Sequence, residues 1–394
     1  MNVPPSLVCR ELRLRQFRNF AELDLVFPAE GVAVIGPNGS GKTNLVEALY
    51  YLEIFRSFRG PSDRQLVRFG EEVFHIRGRF EEPGTGAKLE VTAAYDASRN
   101  VKRVTVNGVE PERLGDALGR IGVVVFSPSD VSIIAGAPAE RRRFLDIVLS
   151  VNVPGYLDAL QRYRHTLKQR NALLKERVSP AELEPWTATL VRTGARVMAA
   201  RARWVRQHGS GFARRYEAIG GEVPARMTYR PSVTGAEGDV GRLPEGAAYE
   251  AEDEAARNEE DAFRAELERV SDRERERGTT LRGPHRDDLG FIRQDDGGWD
   301  LRDFGSGGQQ RTAAVSLRLV EAATIRVARG RAPIVLLDDI FAELDPGRGE
   351  RLLEQLDREP GQAILTAPKA SDIEVRRGRL PRWRIAGGQV VAAA

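Results

Sequence analysis

Gly36-Pro37-Asn38-Gly39-Ser40-Gly41-Lys42-Thr43 fits the pattern Gly-x4-Gly-Lys-[Ser/Thr] at every fixed position. Glycine lets a chain wrap closely around phosphates, where a Cβ would clash, and the exposed N–H groups supply partial positive charge. The flanks agree. The apolar run Gly31-Val32-Ala33-Val34-Ile35 reads as a buried strand entering the loop. Leu45, Leu49, Leu52 and Ile54 form the stripe of a helix leaving it. Strand, glycine loop and helix in that order predict a nucleoside triphosphate held by Gly36, Pro37, Asn38, Gly39, Ser40, Gly41, Lys42, Thr43 and Asn44. Lys42 is expected at the β- and γ-phosphates and the Thr43 hydroxyl on Mg²⁺. The loop does not say what hydrolysis drives.

A second apolar run, Ile334-Val335-Leu336-Leu337, ends in Asp338-Asp339. It suits a buried parallel strand beside the loop strand. Asp338 is then expected to orient the Mg²⁺ shell. Asp339 is placed to polarise an attacking water, as a base or a positioner, so Lys42 and Asp339 are the candidate catalytic pair. About thirty residues earlier stands Gly305-Ser306-Gly307-Gly308-Gln309-Gln310-Arg311, with Val315, Leu317, Leu319 and Val320 continuing as a helix. Ser306 is a natural N-cap, and its glycines leave N–H groups open to an anion.

Composition narrows the class. The chain has 394 residues, enough for one large or two modest domains. A single cysteine, Cys9, excludes a disulfide framework and cysteine-rich metal sites. Charges from Arg10 to Arg15 interrupt any leader-like apolar core, and no apolar run is long enough to span a bilayer. A cytoplasmic protein without membrane attachment is expected. Net charge is only +3, yet charge is segregated: residues 141–215 hold 16 Lys/Arg against 5 Asp/Glu, a net +11. Residues 216–280 hold 9 against 17, a net −8. A basic helical section attracts a phosphate polyanion, and Arg201, Arg203 and Arg206 are candidate DNA contacts. Alternating strands are expected before residue 126, helices from about 138, a third helix over roughly 185–216, a loop over 232–248 and a solvated helix or arm over 250–277. The domain reading is 1–137 for the first part of the ATP-binding lobe, 138–277 for a basic helical insertion and 278–394 for the returning part.

The glycine loop, the Ser-Gly-Gly-Gln run, Leu336-Leu337-Asp338-Asp339 and Ala342-Glu343-Leu344-Asp345 together resemble an ABC-type ATPase head. Finer motifs resemble the bacterial RecF recombination-mediator family. These are Phe17-Arg18-Asn19-Phe20, Arg56-Ser57-Phe58-Arg59, Phe126-Ser127-Pro128-Ser129-Asp130 leading to Arg141-Arg142-Arg143-Phe144-Leu145-Asp146, and Gly283-Pro284-His285-Arg286-Asp287-Asp288.

The resemblance implies an α/β ABC-type head with a helical insertion lobe. It implies that Ser306, Gly307, Gly308 and Gln309 of one protomer close over the γ-phosphate held by another, with Asp345 along the same interface. ATP and Mg²⁺ are the implied cofactors, and DNA, a second copy, RecR and RecO the implied partners. The implied work is recombinational repair and replication: slow, DNA-stimulated ATP hydrolysis, RecA loading and the SOS response. A transporter nucleotide-binding subunit and an ATP-gated chromosome clamp are the alternative readings. Two departures stand out. Asp339 occupies a position where ABC enzymes usually carry Glu. Thr366 stands where a switch histidine is usual, placed to bond a γ-phosphate or water. Gln65 and the Ser127–Asp130 turn are the candidates for the glutamine-bearing loop.

Overall fold

The first part of the chain builds strands, as its alternation predicts. β1 (Val8–Phe17) and β2 (Phe20–Val26) pair as a hairpin, turned at Arg18-Asn19 with Arg18 at φ 56°. β3 (Gly31–Ile35) leads into the glycine loop and α1 (Lys42–Ile54) leads out. β4 (Val73–Glu81), β5 (Lys88–Asp96) and β6 (Val101–Val106) follow, then short α2 (Leu114–Ala117) and β7 (Val123–Phe126). The middle is mostly helical: α3 (Val131–Ala135), α4 (Pro138–Asn152), α5 (Tyr156–Glu176) and α6 (Pro180–Gly220) precede β8 (Ala225–Arg230). Then come α7 (Glu252–Arg269), α8 (Ser271–Arg277), β9 (Asp288–Arg293), α9 (Leu301–Phe304) and α10 (Gly307–Arg329). β10 (Ile334–Asp338), α11 (Pro346–Asp357), β11 (Ala363–Ala367), β12 (Arg382–Ala386) and β13 (Gln389–Ala392) complete the order. These elements come from a computed structural model that describes residues 6–221, 223–233, 252–295, 297–357, 361–369 and 380–392.

Two units result, one from Met1–Asp130 with Ala314–Ala394, the other from Val131–Ala313. The first holds an antiparallel sheet in the order β2-β1-β4-β5-β6 and a second sheet in the order β13-β12-β3-β11-β10-β7. In the second sheet β12, β3, β11, β10 and β7 run parallel. Every residue of β7, β10 and β11 is buried. That explains their apolar runs, since a parallel strand covered on both faces has no solvent face. One expectation is corrected here. β10 does not lie beside β3; β11 is inserted between them. Ala363–Ala367 is as apolar as β10, so sequence pattern does not rank the two as neighbours.

The second unit closes at Ala313 rather than at residue 277, because β9 pairs antiparallel with β8 along its whole length. α6 begins at Pro180, earlier than the expected 185. Ser179 and Glu182 form a reciprocal capping box, the Glu182 N–H donating to Ser179 Oγ at 3.3 Å and the Ser179 N–H to Glu182 Oε2 at 2.9 Å. The charged stretch over 250–277 is not a free arm where described. Phe263 and Leu267 on α7 are fully buried against Tyr163, Leu190, Val191 and Met198. Two large apolar side chains in an otherwise charged helix are enough to dock it. The expected loop over 232–248 lies outside the described residues from 234 onward.

Arginines expected on the surface hold the second unit together from inside. Arg141 is buried and binds Asp288 through two nitrogens at 2.6 and 3.0 Å. Arg142 donates to the Asp287 carbonyl at 2.8 Å. Arg201 is 2% exposed. Its guanidinium donates to Asp146 at 2.8 Å, the Pro284 carbonyl at 2.7 Å and Tyr156 at 3.1 Å, and lies 3.4 Å from Asp287. Arg201 is therefore corrected as a DNA contact, since a phosphate cannot reach a guanidinium enclosed by its own carboxylates. Gly283 explains the first letter of its motif: at φ +122°, a Cβ there would meet Phe263 and Tyr163 at 2.6–2.7 Å.

His285 sits in the same knot, its Nδ1 2.5 Å from the Tyr163 hydroxyl and its Nε2 3.2 Å from the Thr280 carbonyl. Burial pushes its pKa down from 6.5 to about 4, against the carbonyl bond, with Arg286, Arg142 and Arg201 adding to the fall. It is a structural histidine, neutral in the fold.

Two outcomes follow for this unit. Arg201→Glu is expected to destabilise it by about 3–5 kcal/mol, because Asp146 and Asp287 lose their counter-charge in the interior. Arg143→Glu, at an exposed site, should change stability by less than about 0.5 kcal/mol; urea unfolding measures both. The unfolded chain protonates His285 before the folded one. Its contribution is thus complete above pH ~6.5 and drains as pH falls toward 4, by roughly 1–3 kcal/mol. His285→Gln should flatten that acid limb in denaturation midpoints taken between pH 7 and 4.5.

Candidate functional site

The glycine loop is braced before any ligand arrives. Lys42 is 3% exposed, and its Nζ donates to the Gly36 carbonyl at 2.8 Å and the Pro37 carbonyl at 3.3 Å. It also lies 3.6 Å from Asp339 Oδ2. Asn19, in the β1–β2 turn, donates to the Ser40 carbonyl at 3.1 Å and accepts from Asn44 at 2.7 Å. Gly41 sits at φ +112°, and a Cβ there would meet the Asn19 amide at 2.6 Å. Loop and hairpin turn are thus fitted to one another, and only glycine permits it.

The acidic pair arrives from the other end of the chain. Thr43 Oγ1 donates to Asp338 Oδ1 at 2.9 Å. Burial raises the Asp338 carboxyl to about 6, opposed by the Thr43 bond and reinforced by the adjacent Asp339. Asp339 adopts a left-handed backbone at φ 48°, ψ 22°, unfavourable for a residue with a Cβ by about 1–2 kcal/mol. Thr366 on β11 holds it there: the Asp339 N–H donates to Thr366 Oγ1 at 2.9 Å. The same hydroxyl lies 3.0 Å from Asp338 Oδ1 and 3.1 Å from Asp339 Oδ1. Thr366 was expected to face a phosphate or water. It is instead spent on the two aspartates, which its place on the intervening strand makes possible.

A pocket of about 460 Å³ opens over this arrangement, lined by Asn38, Lys42, Thr43, Asp339 and, from elsewhere in the first unit, Arg59 and Glu343. Arg59 reaches it through a buried relay. Arg18 pairs with Glu47 through two nitrogens at 2.8 and 2.9 Å. Glu47 accepts from Ser57, and Ser57 Oγ accepts the Arg59 N–H at 3.0 Å. The Arg18-Asn19 and Arg56–Arg59 motifs carry no role that their sequence alone assigns. The structure makes them the supports of the loop and of a cation at its pocket.

Of the two glutamine-loop candidates, the Ser127–Asp130 turn lines this pocket through Pro128, and Gln65 does not line it. Gln65 accepts from the Ser62 N–H at 2.9 Å. Asp130 accepts from Arg318 at 2.6 Å and from the Ser127 N–H at 2.9 Å. Ser306 and Gly307 are exposed in the second unit. The Ser306 N–H donates to Gln309 Oε1 at 2.9 Å, and the Gln309 N–H to Ser306 Oγ at 3.2 Å, which caps α10 as expected. Gly308 follows Gly307 in the first turn of α10, and Asp345 precedes α11, taking the Arg348 N–H at 3.0 Å.

Oxygen donors alone face one another at Thr43 and Asp338, which fits a hard divalent cation. Among the described residues no cluster of three or more His, Cys, Asp or Glu forms a metal cage. Arg203 and Arg206 are half-buried on α6, and burial lowers the Arg206 pKa, with Arg203 adding. No helix among the described residues is long and apolar enough to cross a membrane.

Residues 8–377 match the family described as RecF/RecN/SMC N terminal domain. The chain is 36% identical to the DNA replication and repair protein RecF of Halalkalibacterium halodurans, over 92% of this chain and 93% of that one. It is 35% identical to the protein of the same name from Thermomicrobium roseum, over 98% and 99%. The chain belongs to the RecF family. A solved structure of the recombination mediator protein RecF-ATPrS in the RecFOR pathway superposes with a TM-score of 0.85 at 29% identity, covering all of both chains. An Smc head domain from Pyrococcus furiosus gives 0.54 at 14% identity, covering 98% of this chain and 96% of that one, a likeness of fold. The RecF fold is thus an α/β ABC-type ATPase head carrying a helical unit, as the motifs implied.

Thr366→Val is expected to slow triphosphate turnover by roughly tenfold while leaving nucleotide affinity within about twofold. The substitution removes the hydroxyl that sets Asp339 but no group of the glycine loop. Phosphate-release kinetics and titration with a fluorescent nucleotide separate the two.

Proposed function

We propose that this chain is an ATP-dependent DNA-binding protein of recombinational repair and replication, in which nucleotide state governs pairing of two copies. The observation that carries the reading is the constellation of Lys42 beneath the loop, Thr43 on Asp338, and Asp339 3.6 Å from the Lys42 ammonium. Membership of the RecF family supports it, since its relatives are named for replication and repair.

Lys42 leaves carbonyl partners for the β- and γ-phosphates, so the loop needs little rearrangement to bind. Thr43 and Asp338 would hold Mg²⁺, which when bound neutralises charge on the phosphate oxygens. Asp339 positions and polarises the attacking water. Its side chain is one methylene shorter than glutamate, which favours slow hydrolysis, as befits a switch. Exposed Ser306 and Gly307, with Gly308 and Gln309 behind them, would contact the γ-phosphate bound by a second copy, with Asp345 beside them. ATP shifts the open–closed balance only through contacts made better in the closed pair, and these trans contacts supply the difference. The basic helical block, with Arg203 and Arg206 but not Arg201, would meet DNA phosphates. RecR and RecO as partners, RecA loading at gaps, DNA stimulation of the ATPase and a place in the SOS response follow from the family resemblance.

Sedimentation with a nonhydrolysable ATP analogue should show a dimer, and with ADP or no nucleotide a monomer. DNA retention should follow the dimer and weaken as salt rises. Lys42→Met should abolish both. A chain that stays monomeric with saturating analogue, or retains DNA equally without Lys42, overturns the switch.

A further inference from the structure

A second pocket lies in the helical unit. α5 and α6 leave a groove of about 740 Å³ between them, within the size range of sites that take a large side chain or small ligand. Its floor is made of small buried residues, Ala159 from α5 and Thr193 from α6. The Thr193 hydroxyl is already spent on the Thr189 carbonyl at 2.8 Å, so the floor asks for no polar partner. Trp186, half-buried, forms a wall with His165 beside it, their ring centroids 6.5 Å apart. An indole left partly open over a floor of small side chains is a receptacle for an apolar or aromatic group.

The rim is cationic. Arg192 and Arg196 stand one turn apart on α6, both exposed. Neither forms an ion pair or hydrogen bond among the described residues. That sets them apart from the buried arginines of this unit, each of which is tied to a carboxylate. Arg162 faces them from α5 and is held by Asp158 at 3.0 Å. The groove thus combines one apolar receptacle with two uncompensated guanidinium groups, whose forked donors match carboxylates.

We infer that this groove is a docking site for an acidic segment of a partner protein, which inserts one aromatic or large aliphatic side chain against Trp186 and sets its flanking carboxylates on Arg192 and Arg196. The make-up of the lining favours a peptide over a nucleic acid. A bound strand carries a phosphate at every residue, and proteins that hold one provide a continuing basic track with several stacking aromatics. Here a single indole lines the groove. Asp158 stands on one wall, and exposed Glu182 and Glu184 precede Trp186 at the start of α6. A short acidic segment with one anchor fits those bounds. The inference does not rest on the nucleotide reading, because every residue it uses belongs to the helical unit.

The test is to pan a phage library of short random peptides against the full chain, then measure the synthetic consensus peptide by fluorescence anisotropy. The expected consensus carries two or more Asp or Glu around one Phe, Trp or Leu. Its binding should weaken with salt and fall about tenfold or more in Arg192→Glu/Arg196→Glu and again in Trp186→Ala. Both arginines are exposed, so the double variant should keep its fold and nucleotide binding even if Trp186→Ala does not. The proposal is overturned by no consensus, by a consensus without acidic residues, or by peptide affinity unchanged in the double variant. It is also overturned if a thymidine oligonucleotide displaces the peptide and loses its own binding in the same variants, which would make the groove a nucleic-acid site.

Discussion

Two carboxylates in succession at the end of an internal strand repel one another unless the surroundings balance them. Asp338 and Asp339 impose that condition on the whole first unit. Asp338 is buried deeply enough for its acidity to weaken, and Asp339 is bent into a left-handed backbone. The compensating groups come from three distant stretches: Lys42 and Thr43 from the loop, Thr366 from β11 and Arg59 from the pocket wall. Because β11 pairs directly with β10, one threonine hydroxyl touches both aspartates. The arrangement is under electrostatic tension that added positive charge relieves, so binding and order are linked at this point.

In the helical unit the same physics works in reverse. Buried arginines meet buried carboxylates, and the long-range pairs Arg141–Asp288, Arg201–Asp146 and Arg170–Glu274 join segments far apart in sequence. Such pairs add little net stability over apolar packing, but breaking one leaves a charge stranded in the interior. The two acidic letters of the Gly283–Asp288 motif take separate arginines, Asp287 receiving Arg201 and Asp288 receiving Arg141. The motif is therefore a set of instructions for packing, not a catalytic cluster.

What could be read from the sequence was what is local. The glycine loop, the alternation of β1 and β2, the apolar runs of β7 and β10 and the Ser306 cap each declare themselves within a few residues. The candidate nucleotide residues from Gly36 to Asn44 were legible for that reason, and so was the acidic pair. Non-local facts were not. Nothing in Ala363–Ala367 announces that it enters between two other strands, and so the role of Thr366 was hidden. Nothing in a run of arginines separates Arg201, enclosed by partners 55 and 86 residues away, from Arg192 and Arg196 on the outside of the same helix. Charge counted along the chain assumes exposure, and that assumption failed where carboxylates of matching reach were folded against the basic helices.

The first unit is assembled from both flanks of the helical one, and this bears on its synthesis. When β7 leaves the ribosome, its parallel neighbour β10 is still about 200 residues from being made, which at ~5–20 residues per second is roughly 10–40 s of translation. Through that interval β3 has neither β11 nor β12 beside it, and the nascent glycine loop rests on an unfinished sheet. The helical unit, continuous in sequence, is free to fold meanwhile. A ribosome-bound chain of this kind should acquire its triphosphate pocket late and abruptly, when Ala363–Ala367 slots into place, and a nascent chain stalled before that point would expose apolar strand edges for chaperones to shield.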